Sequence, residues 1–371
     1  MAIHDLRIRW RRRSALIVPL SAWCGSMCRE HAWAARLRTQ WVCTLAALLT
    51  LQACERQPLD SEPNGPAADD SVITGYRAVP GWPQLETVLR LGEVAGIDVD
   101  VHGHVFLFQR AERGWDTETL APIEDATVWQ LDAASGRLLH AWGARAFRLP
   151  HGLTVDANNN IWLTDAALHQ VFQFSHDGAP LKQIGEASVG RWDAGHFNRP
   201  TDVAVSVDGR IYVSDGYENQ RVVAFDSTGR YVREWGRRGA GDGEFALPHG
   251  LAMRGGSLYV ADRENGRVVG FDGNGAYQSS QSPIPGALVY AVTASSPDEL
   301  LVAVRQDAFG LGGVVVFDAS GRITHGLGAV PLGDGTFLFV HDIARANDGT
   351  IYVAETRTGG VRKYEPVRAA R

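Results

Sequence analysis

Residues 150–165, PHGLTVDANNNIWLTD, decide how this chain folds. Apolar and polar residues alternate on either side of an Asn-rich turn, a period of two that belongs to β-strands and not to helices. The phrase returns as PTDVAVSVDGRIYVSD from Pro200, PHGLAMRGGSLYVAD from Pro248 and VHDIARANDGTIYVAE from Val340. Weaker copies are AGIDVDVHGHVFLFQ from Ala95 and YAVTASSPDELLVAV from Tyr290. Third strands read VVAFD, VVGFD and VVVFD, and LLHAWG, PLKQIG and YVREWG supply fourth strands. Four strands recurring every 40–56 residues over six units predict an all-β fold, a six-bladed β-propeller. The last unit ends with VRKYE near residue 365 and lacks a fourth strand, whereas TVLRLG at Thr87–Gly92 precedes the first unit. That N-terminal segment is expected to pair with the last blade and remove its exposed edge.

Composition agrees. Of 371 residues, 45 % are hydrophobic and 9 % aromatic, enough for a core and too many for wholesale disorder. The 41 glycines and 11 tryptophans suit many short strands and turns. Net charge is −6, divided as +6 over residues 1–56 and −12 over the rest. An acidic body makes a poor partner for phosphate backbones, so no nucleic-acid partner is expected.

The N-terminus reads as an address. All four cysteines (Cys24, Cys28, Cys43, Cys54) fall within the first 54 residues, leaving the remainder free of disulfides. The apolar run WVCTLAALLTL at 41–51 is too short to span a bilayer but suits a secretory signal. It ends in Leu51-Gln52-Ala53-Cys54, which resembles a bacterial lipobox, with Cys54 as the lipidated residue. An ordinary cleaved signal is the alternative. Residues 1–53 are therefore read as a misassigned start plus signal peptide, 54–80 as a flexible tether, and 81–371 as the propeller. The expectation is an exported lipoprotein of a bacterial cell envelope, held to the membrane by its lipid alone and otherwise a monomer.

Because the units repeat, the chain aligns with itself. Ala95, His151, Thr201, His249, Tyr290 and His341 open the first strands of blades one to six. Histidine takes every second place, and alternate blades of a six-fold ring lie about 120° apart. First strands line the central channel, so His151, His249 and His341 should converge on the axis. Three imidazoles with an open fourth position are what a catalytic zinc requires. Just past the second strands stand Arg110, Tyr217 and Arg263, expected at the same opening. Loop arginines are commonly solvated; beside a metal, two cations and a phenol suit an anion-binding, acid–base site.

The recurring Gly…Phe-x-x-Pro phrase resembles the NHL repeat. LPHGLTVD, TDVAVSVDGRIYVSDGYENQR, LPHGLAM, ADRENGR and VHDIA more specifically resemble the peptidyl-α-hydroxyglycine α-amidating lyases over roughly residues 90–365. The resemblance implies a six-bladed propeller whose zinc is held by His151, His249 and His341. It implies Tyr217 as base, Arg263 beside it and Arg110 on the substrate. It also implies a structural calcium held by the Asp342 carboxylate and the backbone oxygens of Ile97 and Leu153, hard donors for a hard cation. The substrate would be a small-molecule or peptide carbinolamide, cleaved at its N–Cα bond to an amide and glyoxylate. For Tyr217 to act as base near neutrality its pKa must fall, an effect expected of Arg263. Arg110 would grip the carboxylate as a bidentate pair. Glu218, Phe339 and Gln109 stand where the family usually has Cys, Met and His. Two rivals stay open: a calcium-dependent lactonase-type hydrolase, and a non-enzymatic NHL scaffold.

Overall fold

The structure, a computed structural model, describes residues 72–73, 75–115, 121–296, 298–306, 311–318, 320–328, 339–357 and 360–367. Cys54 and the segment read as a signal lie outside the described residues. Five sheets run in simple strand order: Val94–Val99 to Leu138–Trp142, Pro150–Val155 to Pro180–Ile184, Asp202–Val205 to Tyr231–Trp235, Pro248–Arg254 to Tyr277–Gln281, and Leu288–Ser296 to Ile323–Gly328. The sixth blade begins with Val340–Arg345, Ile351–Glu355 and Val361–Pro366.

Its fourth strand comes from the N-terminal side, as expected, but from a different segment. Tyr76–Ala78 pairs antiparallel with Val361–Pro366, setting Tyr76 against Pro366 and Ala78 against Tyr364. Val72–Ile73 then adds a fifth, outermost strand. Thr87–Gly92 forms no strand. Its alternation has another cause: Leu89 and Leu91 pack on the apolar cluster between blades six and one, beside Trp82 and Tyr352. Structured chain therefore begins inside the stretch read as tether.

Blade-to-blade packing holds the ring. Phe106, Phe108 and Val128 of blade one bury against Phe147, Ile161 and Leu163 of blade two, and similar clusters occupy the following seams. The last seam joins Ala344 and Tyr352 to Val94, Val105 and Leu107, which closes the circle. In blades one, two and four the first strand runs so close to its neighbour that only Gly96, Gly152 and Gly250 fit beside the ring position. A Cβ on Gly152 would lie 2.5 Å from the Thr201 carbonyl oxygen, and one on Gly250 2.8 Å from the Ala291 Cα. Gly152→Ala should cost about 1–3 kcal/mol, the usual range for overpacking. Thermal unfolding checks this; an unchanged Tm would mean that the channel wall yields.

Candidate metal centre

The acids that end the second strands fix the approach to the axis. Asp165 accepts backbone N–H bonds from Arg148 (2.6 Å) and Leu149 (2.9 Å), just ahead of His151. Asp262 does the same for Ala246 (2.8 Å) and Leu247 (3.3 Å), ahead of His249. With the backbone so pinned, the three histidines meet. Ring centroids of His151, His249 and His341 stand 4.7–4.9 Å apart, and one nitrogen of each lies within 4.8 Å of the others.

The odd blades set the tautomer. His151 Nδ1 donates to Thr201 O (2.7 Å), His249 Nδ1 to Tyr290 O (2.6 Å) and His341 Nδ1 to Ala95 O (2.7 Å). Thr201, Tyr290 and Ala95 are the ring-position residues of blades three, five and one, so all six blades build the centre. Each Nδ1 proton is engaged, so the Nε2 lone pairs are the ones left to ligate, the arrangement that orients metal-bound imidazoles. Burial holds all three well below the usual histidine range, reinforced by neighbouring imidazoles at His151 and His249, by Arg110 at His151 and His341, and by Arg263 at all three. Neutral imidazole is the ligating form. The donor set fits a divalent transition metal.

Above the trio opens a cavity of about 440 Å³, lined by Glu93, Arg110, Trp115, Tyr217, Arg263 and Arg305 among others. Tyr217 Oη lies 2.9 Å from His151 Nε2 and 3.5 Å from His249 Nε2, and Arg263 Nη1 donates to it at 3.4 Å. Arg110 is buried; its Nη1 pairs with Glu93 at 2.9 Å and its Nε donates to Pro150 O. Its Nη2 is buried without a hydrogen-bond partner among the described residues. An orphaned guanidinium nitrogen is costly unless an anion completes it. Arg110, Tyr217 and Arg263 thus line one cavity.

The expected fall in the Tyr217 pKa is not what the protein by itself produces. Burial is the largest influence and pushes the phenol up, outweighing Arg263, Arg110 and Arg199. The sequence reading also left out several cavity residues. Trp115 stacks on Tyr217 with centroids 4.4 Å apart, and Arg199 lies 4.6 Å above Trp115. Arg305 covers Tyr290 at 4.1 Å. Its signal was present: Arg305 follows LLVAV as Arg263 follows LYVAD, the same place in the repeat.

Below the trio the channel widens into a second cavity of about 460 Å³, where Asp342, Ile97 and Leu153 lie together. Asp342 Oδ2 accepts the Ile97 N–H at 2.9 Å. Asp98 and Asp202, which sequence reasoning missed, line the same space. Burial raises Asp98 to about 6 and Asp202 to about 7, and it holds Asp342 well above the carboxylate range with help from Asp202. Folded values above unfolded ones give stability that is complete below the unfolded value and lost as pH rises through about 6 to 7. Chelated protein should therefore melt lower at pH 8 than at pH 5, and calcium should remove the difference. A chelated Tm that climbs to pH 8 would overturn this.

Six blades around an axial imidazole trio define a propeller with a candidate metal centre. Residues 193–286 match a model described as a 6-bladed beta-propeller, and residues 147–174 match the NHL repeat. Both matches lie within the propeller blades, and the chain is also similar to the peptidyl-α-hydroxyglycine α-amidating lyases. It is 34 % identical to peptidyl-glycine alpha-amidating monooxygenase A of Xenopus laevis, over 78 % of this chain and 33 % of that one. It is 32 % identical to peptidyl-alpha-hydroxyglycine alpha-amidating lyase 1 of Drosophila melanogaster, over 76 % and 58 % respectively. The chain thus spans a third to somewhat over half the length of these relatives. Among solved structures, a gluconolactonase from Xanthomonas campestris superposes with a TM-score of 0.56 at 15 % identity, over 81 % of this chain and 93 % of that one. That likeness is one of fold.

Proposed function

We propose that this chain is a zinc-dependent lyase that cleaves the N–Cα bond of an α-hydroxyglycine-type carbinolamide, giving an amide and glyoxylate. The convergence of three neutral imidazoles beside Tyr217, with the unpartnered Arg110 Nη2 facing burial, supports this reading most directly. His151, His249 and His341 would hold zinc; Asp342 with the Ile97 and Leu153 carbonyls would hold calcium. Zinc, when bound, supplies Lewis acidity toward a substrate oxygen and a positive charge that favours the phenolate.

The protein's own groups account for the rest. Arg110 anchors the glycyl carboxylate through the nitrogen that lacks a partner. Tyr217 takes the proton of the substrate hydroxyl, the C–N bond breaks as the carbonyl of glyoxylate forms, and the departing amide nitrogen receives a proton. Arg263, in contact with Tyr217 Oη, favours the phenolate through its charge. Trp115 shields the phenol on one face.

We further propose that the substrate is a small-molecule or peptide carbinolamide met outside the cytoplasm, with the chain tethered as a monomeric lipoprotein through Cys54. Purified protein incubated with α-hydroxyhippurate should release glyoxylate. Zinc-loaded protein that releases none from this or related carbinolamides would refute the lyase.

A further inference from the structure

A second group of metal-binding side chains lies away from the axis, where the first turn of blade one meets the third-to-fourth-strand turn of blade two. Asp100 Oδ2 accepts from His104 Nδ1 at 2.8 Å and from His176 Nε2 at 2.7 Å. Asp100 Oδ1 accepts the backbone N–H groups of His102 and His104, which fixes the carboxylate. The Asp100 side chain is fully buried, while His104 and His176 remain about 30 % exposed. The His102 ring stands 6.1 Å from His104 and 6.2 Å from His176. Asp100, His104 and His176 each bring one ligand atom within 4.8 Å of the others.

The repeats supply an internal control. In blade two the matching acid, Asp156, occupies the same turn and accepts the N–H groups of Asn158 and Asn160. Its second oxygen is satisfied by Asn160 Nδ2 (3.1 Å) and Trp162 Nε1 (2.9 Å). Blade one puts His104 at the Asn160 position and Phe106 at the Trp162 position, and His176 reaches in from the neighbouring blade. The turn itself requires neither the acid nor an imidazole: Ser206 with Arg210 and Ala346 with Thr350 stand at the Asp100 and His104 positions in blades three and six. Two imidazoles on one buried carboxylate oxygen, with a third nearby, exceed what the fold requires.

We propose that Asp100, His104 and His176 form a second metal site, with His102 as a candidate fourth ligand, for a late first-row divalent cation such as zinc. Nitrogen and carboxylate donors in this number are a zinc set. The ion takes the place of the two N–H contacts to Asp100, each neutral imidazole carrying its proton on the other ring nitrogen, Nε2 of His104 and Nδ1 of His176. Tetrahedral zinc with bonds of about 2.0–2.1 Å separates its ligands by about 3.3 Å, so the nitrogens need to retreat only about half an ångström. The bound ion staples blade one to blade two and should raise Tm in proportion to the logarithm of its concentration.

Equilibrium dialysis against Zn²⁺ of the full chain tests this. His249→Ala removes an axial ligand and should leave one bound equivalent, which the triple variant His104→Gln/His176→Gln/His249→Ala should lose. In the His249→Ala background, zinc should raise Tm, and His176→Gln alone should weaken binding at least tenfold. Circular dichroism confirms that each variant is folded. No zinc bound by His249→Ala, or an equivalent that survives His104→Gln/His176→Gln, would overturn the proposal. Because the readout is taken with the axial centre disabled, failure of the lyase assignment would leave this result unaffected.

Discussion

His249→Ala should strip the axial metal and reduce glyoxylate release to background, a loss of at least about three orders of magnitude in kcat/KM. The size follows from the role: a Lewis acid on the reacting oxygen contributes several kcal/mol, and each 1.36 kcal/mol is about tenfold in rate. His249 is nearly completely buried, and its Nδ1 is tied to Tyr290 O. Removing the ring leaves two imidazoles, too few donors for a tight zinc site. Elemental analysis of wild type and variant also separates the rival functions. Stoichiometric zinc lost with His249 supports the lyase, calcium alone points to a hydrolase, and no metal points to a scaffold. A variant that keeps both zinc and turnover would remove the basis of the proposed chemistry.

Tyr217→Phe should retain zinc yet lower kcat by about 10²–10⁴-fold, the range for loss of a positioned proton carrier. The ring's packing on Trp115 survives the substitution, so KM should change little. Metal content and kcat thus report on different groups: the imidazoles hold the ion and the phenol moves the proton. The wild-type pH profile should also show a basic group that the variant lacks. That group should titrate below the value burial alone would impose, because zinc adds its charge to those of Arg263 and Arg110. Unchanged kcat in Tyr217→Phe would exclude the phenol from proton transfer.

The ring of strands was legible because a propeller writes its fold once per blade. Aligning PHGLTVD with PHGLAM and VHDIA places His151, His249 and His341 at one depth of the ring. The same alignment reached Arg110 and Arg263, and it could have reached Arg305. What it mistook was the closing strand. Thr87–Gly92 has the alternation of a fourth strand, but its leucines cover a seam, and the shorter Tyr76–Ala78 completes the blade. A two-residue period marks a face that needs burial and does not name the partner that buries it.

Sequence alone determined the blade count, the alternate placing of histidine and the loops that face the opening, since each is a property of residues at fixed spacing. Tertiary structure decided what spacing cannot encode. It fixed the imidazole tautomers, set by carbonyls of Thr201, Tyr290 and Ala95 in neighbouring blades. It buried Tyr217 deeply enough to raise its pKa, and it drew Asp98, Asp202 and Asp342 into one channel mouth. It also carried His176 across to Asp100, 76 positions away. Hydrogen bonds and charge interactions act over a few ångströms of space, and only the closed ring brings these residues within that range.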